Sequence, residues 1–281
     1  MITIPELAAE SLGSYLTEHM GRRFGATDAA LIELVPSAAR LALDCIGNSD
    51  AAYHNVEHTM LVTLVGYDIM KGRRLVRQTS ASDCAHLILG CLFHDIGFVR
   101  GILEGDGDDG YVINAAGDTI KLPRGSSDAA LTPYHVDRSK LYVTDRISKI
   151  KHLDAARIAQ AIEYTRFPPS PAIDEGDESE EGMLLRAADL IGQLGDPHYL
   201  RKAKALYSEF EEIGMNRQLG YTSPADLVDL YPRFYWNSVS DHIQTAVRYL
   251  NNTSSGRQWI ANLYSNVFQA ERALSLSGPQ R

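Results

Sequence analysis

At 281 residues with 44% hydrophobic composition, the chain is long enough to bury a substantial core and too apolar for large-scale disorder. A formal net charge of −9 and a pI near 5.5 argue against nucleic-acid partners, because binding phosphates along a duplex needs a dense basic surface. The three cysteines, Cys45, Cys84 and Cys91, form no CxxC pair and sit among apolar neighbours, which suits buried thiols in a reducing compartment.

Helical spacing of Leu7, Leu12, Tyr15 and Leu16 predicts a first helix from Pro5 to Met20, and Thr27-Asp28 is placed to cap a second that runs to about Ile46. Gly47-Asn48-Ser49-Asp50 reads as a break. A third helix is expected from Ala51-Ala52-Tyr53 to about Met70, closed by Lys71-Gly72, and Ser80 or Ser82 caps a fourth that carries His94 and Asp95. Between Gly101 and Gly125, glycines and aspartates surround two β-prone runs, Tyr111 to Asn114 and Thr119 to Leu122, which predict a small hairpin within an insertion.

Helical pattern resumes from Leu131 to Ile147, Asp154 to Arg166 and Glu181 to Leu194. The proline-rich Phe167 to Pro171 and the acidic run Asp174 to Glu181 separate the last two, the latter reading as a solvated loop that leads into a helix N-terminus. Tyr199 to Leu274 reads as three or four helices broken near Gly220 to Pro224 and Asn251 to Gly256. The expectation is one all-α domain, a helical bundle over 1–281 with its core at about 50–198, a small insertion at about 101–125 and additional C-terminal helices at about 199–274. With no basic-then-apolar leader and no run of about 18 apolar residues, a cytoplasmic protein without a membrane partner is expected.

Cys91-Leu92-Phe93-His94-Asp95-Ile96-Gly97 places two ligand-type side chains in an otherwise apolar run from Leu87 to Val99. A carboxylate there must be paired, protonated or metal-bound, since burying it alone is expensive. His54 and His58 are four apart and would share a helix face; Asp189 sits among apolar residues, with Arg186 as an alternative partner; His135 precedes a helix. Each has a structural explanation taken singly. Together, imidazoles and carboxylates from separate helices are able to hold a divalent ion in a bundle core.

His58, His94-Asp95 and Asp189 resemble the H…HD…D signature of the HD-domain metal-dependent phosphohydrolase superfamily, over about Tyr53 to Leu194. Tyr53-His54-Asn55 with His58 is similar to the YHNxxH motif of class I cyclic-nucleotide phosphodiesterases. The resemblance implies one or two divalent metal ions (Mn, Fe, Zn, Co, Ni or Mg) held by His58, His94, Asp95 and Asp189, with Asp95 placed to bridge to a second ion. It also implies His54 as the acid that protonates the leaving oxygen, and attack by metal-bound water on a small nucleotide-like phosphoester, a cyclic nucleotide being the specific candidate. The pattern departs at Phe98, where these relatives carry a histidine or lysine. His135 is the candidate replacement, as a second-metal ligand or a phosphate contact. Arg138 and Arg166 are candidate phosphate clamps, and Asn55 and Gln193 candidate substrate contacts. Two alternatives remain open here: a mixed-valent di-iron oxygenase of the same superfamily, and a non-catalytic metal-braced module. The oligomeric state is not legible.

Overall fold

A computed structural model describes residues 2–24, 28–168 and 179–277. Thr27, Pro169 to Pro171 and the acidic run Asp174 to Glu178 lie outside the described residues. Helices α1 (Ile4–Phe24) and α2 (Ala29–Ile46) form an antiparallel pair, with Leu12, Leu16 and Met20 of α1 buried and Val35, Ala39, Ala42, Leu43 and Ile46 of α2 supplying a stripe at three- and four-residue intervals. Asp28 stands at the N-cap of α2, but its side chain makes no capping bond.

Helix α3 runs Val56–Arg73, five residues later than the spacing suggests. The delay has a local cause: Asn55 is the N-cap, its Oδ1 accepting from the backbone of Glu57 at 2.9 Å and His58 at 3.3 Å. Tyr53 and His54 therefore lie in the preceding turn rather than on the face that carries His58. Helix α4 (Ala81–Phe93) opens on a reciprocal capping box between Ser80 and Asp83, each bond 3.0 Å. Every residue from Cys84 to Phe93 is buried. That all-round apolarity makes α4 the central helix, packed by α2, α3, α6 (Ala155–Glu163) and α7 (Glu180–Leu194).

The chain leaves α4 through His94 and Asp95 into a short 3-10 turn, Ile96–Phe98. The expected hairpin is present: β1 (Tyr111–Val112) pairs antiparallel with β2 (Thr119–Ile120), in the register Tyr111 to Ile120. Helix α5 (His135–Ile147) then crosses the 3-10 turn so closely that a Cβ on Gly97 would lie 2.0 Å from the His135 carbonyl and 2.7 Å from the Ser139 nitrogen. Only glycine fits there. A similar approach of α7 to α3, where a Cβ on Gly192 would meet Val62 at 2.9 Å, brings Asp189 toward His58.

Beyond α7 come α8 (Tyr199–Glu212), α9 (Met215–Leu219), α10 (Pro224–Asp229), a series of short turns from Tyr231 to Ile243, α12 (Gln244–Leu250) after α11 (Tyr231–Phe234), and α13 (Ser254–Ser277). The breaks expected near Gly220 and Asn251 are present, with Gly220 left-handed (φ 76°), and a further break at left-handed Gly214 (φ 72°) splits the region more finely than the periodicity predicts. One hydrophobic core runs from α1 to α13, and a smaller cluster joins Tyr53 to Ala203, Leu206 and Leu227. Among the described residues the architecture is all-α apart from the hairpin, and no helix is long and apolar enough to cross a membrane.

Candidate metal centre

Four side chains from three parts of the bundle converge. His58, on the first turn of α3, places Nε2 3.3 Å from Asp95 Oδ2 and 3.2 Å from Asp189 Oδ1. His94, at the C-cap of α4, places Nε2 3.1 Å from Asp95 Oδ2 and 3.6 Å from Asp189 Oδ1. The His94 ring is oriented by its own helix, with Nδ1 2.8 Å from the Cys91 carbonyl, so Nε2 is the nitrogen left to point inward. His58, His94 and Asp95 are nearly sealed from solvent, whereas Asp189 is about one-fifth exposed (22%).

These contacts are close but are not hydrogen bonds. His58 Nε2, His94 Nε2 and Asp95 Oδ2 are buried without a hydrogen-bond partner, a costly arrangement if nothing else satisfies them. Donors bound about 2.1 Å from one first-row ion sit roughly 3.0–3.4 Å from each other, and three of the four separations above fall in that range. His58, His94 and Asp95 offer ligand atoms within 4.8 Å of one another, and the N/O donor set suits a divalent transition metal. Without an ion the groups stabilise one another's charges. Burial works against each, yet the adjacent carboxylates hold the His94 imidazole well above its usual range, while the imidazoles hold Asp95 and Asp189 below theirs. Asp189 does not pair with Arg186, whose Nε donates to the Tyr164 carbonyl at 2.7 Å.

His54 sits beside this cluster, its ring centroid 5.5 Å from that of His58. Its partner is Glu209 of α8, a residue sequence reasoning missed: Glu209 Oε2 lies 2.6 Å from His54 Nδ1, and Oε1 accepts from the backbone nitrogens of Tyr53 at 2.6 Å and His54 at 3.2 Å. Burial alone would depress the His54 pKa, but the Glu209 carboxylate outweighs it and holds the imidazole up at about 9. Signal for Glu209 exists in the sequence. It continues the buried stripe Tyr199, Ala203, Leu206 of α8 at the same spacing, so it is the one acid of its helix that faces inward.

His135, the first residue of α5, places Nε2 3.7 Å from Asp95 Oδ1, with Nδ1 held 2.6 Å from the Thr132 carbonyl. Phe98 is wholly buried and its ring stacks on both neighbours, 4.6 Å from His54 and 4.4 Å from His135.

The other expected substrate contacts are occupied elsewhere. Arg138 is fully buried and uses all five of its donors inside the protein, on the carbonyls of Gly97, Val99 and Val112 and on both oxygens of Asp106. It is a strut, not a phosphate clamp. Arg166 is forked onto Glu163 and Asp137 across α5 and α6. Asn55 serves as a cap, its amide donating to the Ala52 carbonyl at 3.0 Å, while it also lines a cavity beside His58. That cavity, of about 150 Å³, is also lined by Tyr53, Glu57, Asp196 and Lys202. The Lys202 ammonium lies 2.5 Å from Asp196 and 2.7 Å from Glu57.

A family model matches residues 3–273, nearly the whole chain. The chain belongs to the Npun_R2479-like family. No curated protein matches it in sequence. The Npun_R2479-like match spans both the helices of the histidine-aspartate cluster and α8, so the family region includes Glu209 and Lys202 along with that cluster.

Proposed function

We propose that this protein is a metal-dependent phosphohydrolase that cleaves a phosphoester of a small, nucleotide-like substrate. The observation that carries the reading is the convergence of His58, His94, Asp95 and Asp189, with the buried Nε2 atoms of His58 and His94 and Oδ2 of Asp95 lacking hydrogen-bond partners. Likeness of those residues to the H…HD…D signature, and of Tyr53-His54-Asn55 and His58 to the phosphodiesterase motif, supports the same chemistry. A divalent ion bound there supplies charge neutralisation for a phosphoryl group and lowers the pKa of water.

The chain's own residues account for the rest. With its pKa near 9, His54 is an imidazolium at neutral pH; Nδ1–H is committed to Glu209 and Nε2–H remains to protonate a leaving oxygen. Tyr53 packs into the cluster with Ala203 and Leu206, which fixes the turn that presents His54. The adjoining cavity is walled by Lys202 in its pairs with Glu57 and Asp196. At about 150 Å³ that cavity encloses a phosphoryl-sized group and little more, so most of a nucleotide would lie outside it.

The test is to supply purified protein with manganese, cobalt, nickel or magnesium and assay cyclic nucleotides, nucleoside monophosphates and generic phosphodiesters. Metal-dependent turnover of one class, lost in Asp95→Ala together with the metal, is expected; metal uptake with silence on every phosphoester would overturn it.

A further inference from the structure

We infer that a second cavity, enclosed by α3, α4, α6 and α7, is a binding site for a small zwitterion of the amino-acid class. It measures about 210 Å³ and lies at the other end of the α3–α7 pair from the histidine-aspartate cluster. Along α3, His58 and Arg73 are about 22 Å apart at 1.5 Å per residue. The inference is therefore independent of the metal reading.

The cavity is built from charges in balance. Arg73 of α3 and Arg157 of α6 line it alongside Asp83 of α4 and Glu180 and Glu181 of α7. Arg73 donates to Glu180 Oε2 at 3.2 Å, and Arg157 donates to Glu181 Oε2 at 2.5 Å and to Asp83 Oδ1 at 3.0 Å. Arg77 brings a further guanidinium to Glu180 at 2.9 Å, which matches the acids charge for charge. Two groups are nevertheless left unmet. Arg73 is more than nine-tenths buried (8% exposed), and among the described residues neither its Nε nor Glu181 Oε1 has a hydrogen-bond partner. Each such buried group is costly. Burial also pushes the Glu181 carboxyl up, and Arg157 beside it does not outweigh that.

A donor and an acceptor left open in a charge-balanced cavity select a ligand that carries both signs. A simple anion would sit among the three carboxylates, and a simple cation among the guanidiniums. A zwitterion avoids both: its carboxylate accepts from Arg73 Nε and its ammonium donates to Glu181 Oε1. Met70, Leu87 and Leu184 complete the lining and give an aliphatic side chain an apolar surface. The volume falls short of the roughly 300–1,000 Å³ that drug-sized ligands occupy, which suits an amino acid and is too small for a nucleotide.

The test is calorimetric titration of the full-length protein, with chelator present so that capture of a bound ion by the ligand does not register. The probes are L-valine, L-leucine and L-methionine, with isocaproate and isoamylamine as leucine analogues that each keep one charge. Saturable binding of at least one of the amino acids, one per chain, is expected, and each analogue should bind more weakly than leucine by roughly tenfold or more. Glu181→Gln keeps an oxygen at the position and removes its charge, so it should weaken amino-acid binding to a similar degree. Arg73→Lys keeps a cation for Glu180 but loses Nε, and it serves in the same way should Glu181→Gln fail to melt as a folded protein. No saturable binding of any of the three amino acids, an analogue that binds as tightly as leucine, or unchanged affinity in a folded variant overturns the inference.

Discussion

His54 depends on Glu209 for its charge, and the two can be separated experimentally. Glu209→Gln keeps an amide oxygen to accept from the Tyr53 and His54 nitrogens but removes the charge that holds the imidazole at about 9. Loss of that charge lets burial pull the His54 pKa down, so the protonated acid is lost at a lower pH than before. In a pH-rate profile the alkaline limb should move toward neutrality with metal content unchanged, and turnover at pH 8 should fall roughly tenfold or more. An alkaline limb that stays in place would show that His54 is not the acid. His54→Ala should keep the metal and lower turnover by about 10²–10⁴ at every pH. At this scale the buried cluster of His58, His94 and Asp95 was the most readable part of the chain, because a histidine or aspartate inside an apolar helix announces an unmet need. Glu209 was not, because three glutamates at 209, 211 and 212 look like one solvated face until the stripe of Tyr199, Ala203 and Leu206 is followed one turn further. Arg138 misled for the opposite reason: a cation after a histidine near an expected site looks like a phosphate ligand, and nothing local reveals that its partner Asp106 lies 32 residues earlier in the chain.

The insertion around the hairpin is fastened to the core through that pair. Asp106 accepts from Gly101, Leu103 and Val112 nitrogens within the insertion and from both terminal nitrogens of Arg138 on α5, and both side chains are entirely buried. Removing one member of a buried, hydrogen-bonded ion pair typically costs about 3–5 kcal/mol, so Arg138→Ala should lower stability by that order and abolish hydrogen-exchange protection across 101–122. The pair also gives a pH signature. Burial pushes the Asp106 carboxyl up, but Arg138 and the backbone donors outweigh it and hold it below the ordinary range. A depressed carboxyl contributes stability above its unfolded pKa of about 3.9, and loses that contribution as pH falls through the lower folded value. Denaturation of wild type against Asp106→Asn should therefore show a gap that is widest near neutrality and closes progressively in acid; a gap independent of pH would mean that the charge at Asp106 does not matter. The hairpin itself was foreseeable from two β-prone runs around a turn. Its anchoring was not, because the sequence pattern shows where strands form and not which helix receives them. The start of α3 shows the same limit, since Asn55 was read as part of a motif inside a helix begun at Ala51, and its capping bonds decided where His54 sits.

Across the whole molecule, the all-α class follows from three- and four-residue spacing over most of the chain, and the C-terminal breaks near Gly220 and Asn251 follow from their turn-forming residues, whereas the break at Gly214 does not, because it acts through a backbone dihedral that periodicity cannot see. The cluster ties that architecture together: His58 comes from α3, His94 and Asp95 from the exit of α4, and Asp189 from α7, and α4 is the helix around which the others pack. An ion bound only by the folded arrangement stabilises it by mass action, about 2.7 kcal/mol when free metal is a hundred times Kd. Because one kcal/mol shifts the midpoint of a domain of 150–250 residues by about 2–4 °C, chelation should lower the melting temperature by roughly 5–10 °C. It should not unfold the protein at room temperature, since the imidazoles and carboxylates attract one another in the ion's absence and the hydrophobic core is complete without it. Asp95→Ala separates the two contributions. It leaves His58 and His94 buried beside one carboxylate instead of two, so it should melt below the chelated wild type and show no response to added manganese or zinc. A chelated wild type that melts as low as Asp95→Ala would show instead that the ion, and not the charge pairing, holds α3, α4 and α7 at their crossing.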